Sequence, residues 1–256
     1  MGEQVVIVNN ASNIELFGLQ LLNRDLDDVC EFIQDSVMLG NCFSLATPNI
    51  DHFVRIEKYS DVKQIYKQIN YCVNDSRIMS LLLQIFFGLK LRTVTGSDLT
   101  ALLFKSDVIR KKKVAIIGSS KPEITKLTNQ YKLDANLVAH YEPPMHFIKS
   151  IDAVKQTVHF VEACGADIIF LAVGSPQQEI VSAQIQRKLN HGVILCVGAS
   201  IDYLTGKEKR APKFIQAMYL EWLYRFAQSP IKRFRRYFIN CPQIIYYLLR
   251  ERFLSK

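Results

Sequence analysis

The sequence has few of the landmarks by which a function is usually read. Its six cysteines, at 30, 42, 72, 164, 196 and 241, include no C-x-x-C pair. That speaks against a structural zinc site, whose ligands come in close pairs, and suits small core residues in a reducing cytosol. The five histidines are dispersed, and no H-E-x-x-H, G-x-S-x-G, Walker A or post-strand G-x-G-x-x-G occurs. The common metalloprotease, hydrolase, P-loop and dinucleotide dehydrogenase readings fall together. The longest apolar run, Ile78 to Leu91, contains Gln84 and Lys90 and is shorter than the ~20 residues a membrane crossing needs. A buried helix is expected there. No basic start, long apolar segment and cleavage site open the chain, so no signal peptide is expected and membrane contact should be peripheral.

What the sequence does have is a basic, aromatic C-terminal end. From Gly206 onward there are twelve Lys or Arg against three Glu, a net +9, where the whole chain carries +8. Residues 1–205 are therefore close to neutral, and an anionic partner is expected for the tail. Trp222, Tyr219, Tyr224, Phe226, Phe234, Tyr237 and Phe238 lie among those cations, a mixture that suits a membrane headgroup layer. Nucleic acid is the rival partner, and a helix pair with a solvated basic face is the plain alternative. No nucleic-acid motif precedes the tail, so no nucleic acid is expected. Off the membrane, its apolar surface is expected to favour self-association into a homo-oligomer. Helices are expected near 214–228 and 243–253, broken by Pro230 and Pro242. Residues 1–205 are expected to form a core that folds without the 206–256 appendage.

Along the rest of the chain, short apolar runs alternate with segments of helical spacing. Strands are expected at 5–8, 14–16, 42–45, 71–73, 113–117, 137–140, 168–173 and 193–197. Helices are expected at 26–39, 50–59, 61–69, 77–87, 123–131, 151–164 and 177–189. This alternation predicts an α/β fold with a parallel sheet, and continuous runs such as Ile168-Ile-Phe-Leu-Ala-Val173 fit strands covered on both faces. Ligands of such sheets bind beyond the carboxyl ends of the strands. Four loops qualify: 47–49, 74–76, 118–121 and 174–179. Each places small or polar groups before a helix N-terminus, where exposed N–H groups favour phosphate.

Each loop also has a plain structural reading. Ser175, Pro176 and Gln178 have the spacing of a capping box. Asp75 stands where it would cap the helix from Arg77; alternatively it is a carboxylate beside the ligand cleft, able to take a proton from an attacking hydroxyl. Thr47, before a proline, suits a turn. Asp25-Leu-Asp27 has the form of a metal-holding D-x-D, but both acids sit at a helix start, where they complement the dipole.

Thr47-Pro-Asn49 with Asp51, Asn74-Asp75, Arg92-Thr-Val-Thr-Gly-Ser-Asp-Leu99, Gly174-Ser-Pro-Gln-Gln-Glu179, Gly198, Asp202, Gly206, Arg210-Ala-Pro212, Leu220-Glu-Trp222, Tyr224-Arg225 and the 232–237 cluster follow one another in an order that resembles the WecG/TagA/CpsF family of glycosyltransferases. The resemblance runs from about Asn13 to Tyr237. It implies a Rossmann-like parallel sheet flanked by helices, with a basic helical C-terminal appendage. It implies transfer of a sugar from a UDP-sugar to a polyprenyl-diphosphate-linked saccharide at the cytoplasmic membrane face, with inversion and without a metal or other cofactor. Cell-surface polysaccharide or a teichoic-acid-type polymer would be the end product. By the same resemblance Asp75 would be the general base, Thr47, Asn49, Gly118 and Gln178 would surround the substrates, and Arg92, Arg225, Lys232, Arg235 and Arg236 would handle diphosphates. A non-catalytic module that docks a polymer-synthesis complex on lipid is the alternative. Two departures stand out: Ser76 replaces a glycine usual in the family, and the loop from Gly118 has few glycines.

Overall fold

A computed structural model describes residues 9–10 and 13–254. The expected run at 5–8 lies outside the described residues. The first half of the chain contributes β1 (Asn9–Asn10), β2 (Asn13–Leu16), β3 (Leu19–Leu22), α1 (Leu26–Met38), β4 (Cys42–Ala46), α2 (Ile50–Lys58), α3 (Ser60–Tyr66), β5 (Tyr71–Cys72), α4 (Arg77–Phe87), α5 (Gly96–Lys105) and α6 (Asp107–Arg110). The second half contributes β6 (Val114–Gly118), α7 (Lys121–Tyr131), β7 (Val138–Tyr141), α8 (Ile151–Cys164), β8 (Ile168–Ala172), α9 (Gln177–Gln186), β9 (Gly192–Cys196) and α10 (Ser200–Thr205). The tail holds α11 (Lys213–Ala217), α12 (Glu221–Gln228), α13 (Pro230–Phe234), a π-helical stretch Arg235–Asn240 and α14 (Gln243–Leu254).

The strands form one sheet in the order β1-β2-β3-β5-β4-β9-β8-β6-β7. From β3 to β7 every pairing is parallel, while β1, β2 and β3 form an antiparallel ribbon at one edge. The architecture is thus the expected α/β sheet flanked by helices, mostly rather than wholly parallel. Side chains alternate between faces along each strand, and both faces are covered. Ala115, Ile117, Ile169 and Leu171 pack on one side with residues of α2, α4 and α8; Ile116, Ile168 and Phe170 pack on the other with residues of α1, α5 and α7. The six cysteines are unpaired.

Three features differ from the sequence expectations. α5 and α10 carried no expected helix, although Thr95 caps α5 by accepting the Asp98 N–H and pairing with the Asp98 carboxylate at 2.7 Å, a Thr-x-x-acid signal present in the sequence. The helix expected at 214–228 is split where Tyr219 adopts a left-handed φ of +63°. Finally, α4 is not a buried helix: only Met79 and Leu83 are fully enclosed, and Ile85 is 61% exposed.

The tail is attached at both ends. Near its start Arg210 forks onto Asp98 and also donates to Thr95. At its finish Ile244, Tyr247 and Leu248 of α14 join the same core as Ile50, Phe53 and Leu83. Arg250 of α14 pairs with the nearly enclosed Glu57 of α2. Between these anchors many apolar side chains remain exposed, Ile231 the most at 94%. No helix among the described residues is long and apolar enough to cross a membrane.

Candidate active site

The parallel pairing puts the carboxyl ends of β5, β4, β9, β8 and β6 side by side along one edge, and their loops form a row. At the β5 end the chain is pinned by its backbone. Val73 donates to the Ala46 carbonyl, Asp75 to the Pro48 carbonyl and Val94 to the Asn74 carbonyl, each at 2.9 Å. The Asn74 amide donates to Ser80 Oγ (2.9 Å), the Ser76 carbonyl (3.0 Å) and the Arg92 carbonyl (3.2 Å). Capping of α4 falls to Ser76, whose hydroxyl accepts from the Met79 N–H at 3.2 Å. The cap is therefore the residue that departs from the family's glycine, and the Asp75 carboxyl, which makes no hydrogen bond among the described residues, is free to face the ligand side.

Asp75 opens onto a cavity of about 330 Å³ enclosed by the β4 and β5 loops, α4 and the tail. Asn49, Asp75, Thr95, Glu221, Arg225 and Arg236 are among its polar lining residues, and Ile78, Leu82, Tyr219, Trp222, Tyr237, Ile244 and Ile245 among its apolar ones. Three guanidinium groups near Asp75 already hold another carboxylate, while a fourth, Arg77, lines the same cavity and donates to the Gln216 carbonyl at 2.6 Å. Arg225 donates from Nε and Nη2 to Glu221 Oε1 (3.1 and 2.6 Å) and lies over the Tyr203 ring at 5.0 Å. Arg210 holds Asp98 at 2.8 Å. Arg236 donates to Asn49 Oδ1 (3.1 Å) and lies 3.7 Å from Asp51.

The electrostatic outcome differs between the two acids. Asp98 feels burial that raises its carboxyl, but the hydrogen bonds from Arg210 and Thr95 win and hold it below the usual range. Asp75 keeps some accessible surface yet sits deep beneath the tail, and burial pushes it up to about 7. The fields of Arg225 and Arg210 pull that value down, and those of Glu221 and Asp98 push it back. Cations that are locally neutralised cannot offset desolvation.

The other expected site residues fall into two groups. Asn49, Arg225 and Arg236 share the cavity with Asp75. Thr47, behind Asn49 in the same loop, is buried and donates to the Cys196 carbonyl at 3.3 Å. A Cβ on Gly96 would lie 3.0 Å from the Thr47 hydroxyl, so glycine lets the start of α5 close on this loop. Gln178 lies further along the row. It forms no capping box with Ser175; Pro176 precedes the helix without a side-chain cap, and the Gln178 carbonyl oxygen instead accepts the Gly198 N–H at 2.8 Å. Its amide donates to Glu179 (3.0 Å), which also accepts from the Tyr66 hydroxyl (2.9 Å).

Gly118, Arg92 and Arg235 do not line the cavity. Gly118 ends β6 at φ +96°, with the Ala172 carbonyl oxygen 2.6 Å from where a Cβ would sit, so strand packing requires the glycine. Arg92 is directed to Asp25 at 3.0 Å, which also uses one acid of the D-x-D. Arg235 is exposed on the π-helical stretch, and the Lys232 side chain lies outside the described residues. Sequence reasoning passed over Thr95, Asp98, Arg210 and Glu221 as site residues, although all four stand in motifs it had noted. Among the described residues no three His, Cys, Asp or Glu side chains are grouped to hold a metal ion. A second concavity, beside Lys105, Arg110 and Lys132, lies away from the strand ends that carry Asp75.

A parallel sheet whose strand ends present to one cavity several guanidinium groups and a carboxylate that makes no hydrogen bond among the described residues defines an α/β protein with a polar cavity at its carboxyl edge. The model of the glycosyl transferase WecG/TagA/CpsF family matches residues 14–256, nearly the whole chain, and the protein belongs to that family. It is accordingly a glycosyltransferase of cell-surface polymer synthesis.

Proposed function

We propose that the protein is an inverting, metal-independent glycosyltransferase of the hexosyltransferase class. It moves a sugar from a UDP-sugar to a polyprenyl-diphosphate-linked saccharide, working from the cytoplasmic face of the membrane. The observation that carries this reading is Asp75: a carboxylate that makes no hydrogen bond among the described residues, at a strand end, lining a cavity together with several guanidinium groups. Its pKa of about 7 suits a general base at neutral pH.

In this mechanism Asp75 takes the proton of the acceptor hydroxyl as the oxygen attacks the anomeric carbon. The bond from that carbon to the UDP oxygen breaks on the opposite face, so a single displacement inverts the centre. Charge gathering on the leaving diphosphate needs donors already in place. Arg225 and Arg210 are the candidates, exchanging part of their hold on Glu221 and Asp98 for the phosphates. Asn49 and Thr47 hold the β4 loop beside the reacting groups. The exposed apolar side chains of the tail, Phe214, Met218, Ile231, Phe234 and Ile239 among them, lie among its cations and suit contact with an anionic lipid surface.

The product's anomeric configuration tests the reaction type. NMR of the glycolipid formed from an α-linked UDP-sugar should show a β linkage. An α linkage would rule out the single displacement from the opposite face.

A further inference from the structure

α4 has an apolar face that the protein leaves half uncovered. Its residues Ile78, Leu81, Leu82 and Ile85 fall at i, i+3, i+4 and i+7 and so form one stripe along the helix. This stripe is distinct from the pair Met79 and Leu83, which is buried against the core. Ile78 and Leu82 line the cavity that contains Asp75. Leu81 and Ile85, their neighbours on the stripe, are 44% and 61% exposed. On the facing helix, Ile245 lines the same cavity and is itself 43% exposed. A helix apolar on two sides is ordinarily covered on both, and here one apolar path leads from the catalytic cavity to the surface. Asp75, Arg225 and Arg236 line the same cavity.

A cavity that joins guanidinium groups to an apolar stripe continuing to the surface is complementary to a lipid with an anionic head. We infer that the cleft between α4 and α14 seats the part of the acceptor's prenyl chain next to its diphosphate. The diphosphate lies under Arg236, which leaves Arg225 and Arg210 to the departing UDP, the first isoprene units run along Ile78, Leu82 and Ile245, and the rest of the chain leaves past Leu81 and Ile85. This inference rests on the reading of the acceptor as a polyprenyl diphosphate and adds where, and by which residues, its hydrocarbon is recognised. A cavity of about 330 Å³ is at the small end of ligand sites, enough for part of such a chain, so the seat reads its nearest units and not its full length.

The protein's one tryptophan, Trp222, lines the cavity, so its fluorescence reports occupancy of the wild-type chain directly. Farnesyl diphosphate, kept below its micelle concentration, and inorganic diphosphate would each be titrated into the full-length protein and into I85E and L82F. Ile85 is exposed, so I85E tests the path without disturbing the core, while L82F narrows the cleft. The wild-type protein should bind farnesyl diphosphate at least about tenfold more tightly than diphosphate, a difference that burial of two or three methylene groups already supplies. Both variants should lose most of that advantage and keep their affinity for diphosphate. Equal affinity for the two probes, or an undiminished advantage in I85E and L82F, would overturn the seat. Sugar transfer is scored separately: transfer without a prenyl advantage removes the seat and leaves the reaction, whereas a prenyl advantage without any transfer keeps the seat and removes the reaction.

Discussion

Arg225 and Asp75 line the same cavity, yet the Arg225 guanidinium is held by Glu221, with Nη2 2.6 Å from Oε1. The cation best placed to keep Asp75 ionised is thereby partly neutralised, and burial raises the carboxyl to about 7. Two substitutions should move that value in opposite directions. Glu221→Gln removes a charge that raises it and should shift the lower inflection of the kcat/KM pH profile below 7. Arg225→Gln removes a charge that lowers it and should shift the inflection upward, in addition to slowing turnover through the lost diphosphate contact. Inflections that stay in place in both variants would separate the profile from Asp75.

Asp75→Asn should lower kcat by ~10²- to 10⁴-fold, the usual range for a general base, while UDP binding and the fold persist. The same substitution should stabilise the protein. The folded-state value of about 7 lies above the ordinary 3.8, so the unfolded chain releases its proton first and wild-type stability falls as pH rises from about 4 to about 7. The Tm advantage of Asp75→Asn should therefore be near zero at pH 4, grow through that window and stay level above it, reaching at least ~1 kcal/mol. Thermal melts across pH check both the sign and the window.

Gly118→Ala should act on stability and not on substrate affinity. A Cβ there would meet the Ala172 carbonyl oxygen at 2.6 Å, at a φ of +96°, and a cost on the order of 2 kcal/mol is expected. If folded Gly118→Ala protein shows normal Tm but a raised KM for the UDP-sugar, the loop contacts substrate directly.

The end of the tail should prove necessary to the fold. Glu57, 3% exposed at its side chain, is held by Arg250 and by Lys63 at 3.2 Å, and Ile244 and Leu248 complete the core beside α2 and α4. Arg250→Ala should cost about 1–3 kcal/mol by leaving a buried carboxylate short of a partner. A chain ending at Asn240 should lose more, since each enclosed aliphatic side chain contributes ~1.5–3 kcal/mol. Unchanged denaturant midpoints for both would show α14 to be a loosely docked segment. The same denaturation measurements on a chain ending at Thr205 test the sequence expectation that residues 1–205 fold without the tail.

The parts of the fold that were legible were those governed by local rules. Continuous apolar runs with turn residues after them marked the central strands, and α4 and α8 begin and end where their caps and spacing indicated. The ribbon strand β3 and the split at Tyr219 were not visible, because pairing at a sheet edge and a left-handed tyrosine are set by distant neighbours. Asp75 was recognisable as a residue of interest, but spacing alone left it divided between cap and base; the adjacent Ser76 hydroxyl takes the cap, a choice made by side-chain geometry that spacing does not carry. Gln178 shows the reverse. Its capping-box spacing was correct, and a backbone N–H from the β9 loop, remote in sequence, claimed its carbonyl oxygen. α4 misled for a different reason: apolar composition reports what a helix face prefers to touch, and part of this face, at Leu81 and Ile85, stays largely exposed.

The central claim, that Asp75 drives sugar transfer to a lipid diphosphate, is tested most directly by acceptor-dependent UDP release. Full-length protein would be mixed with a panel of UDP-sugars and a short-chain lipid-diphosphate sugar in EDTA, alongside Asp75→Asn. The account predicts release with at least one donor, only when the acceptor is present, unaffected by EDTA and abolished in the variant. Release at an equal rate from Asp75→Asn, or only after a divalent metal is restored, would contradict it.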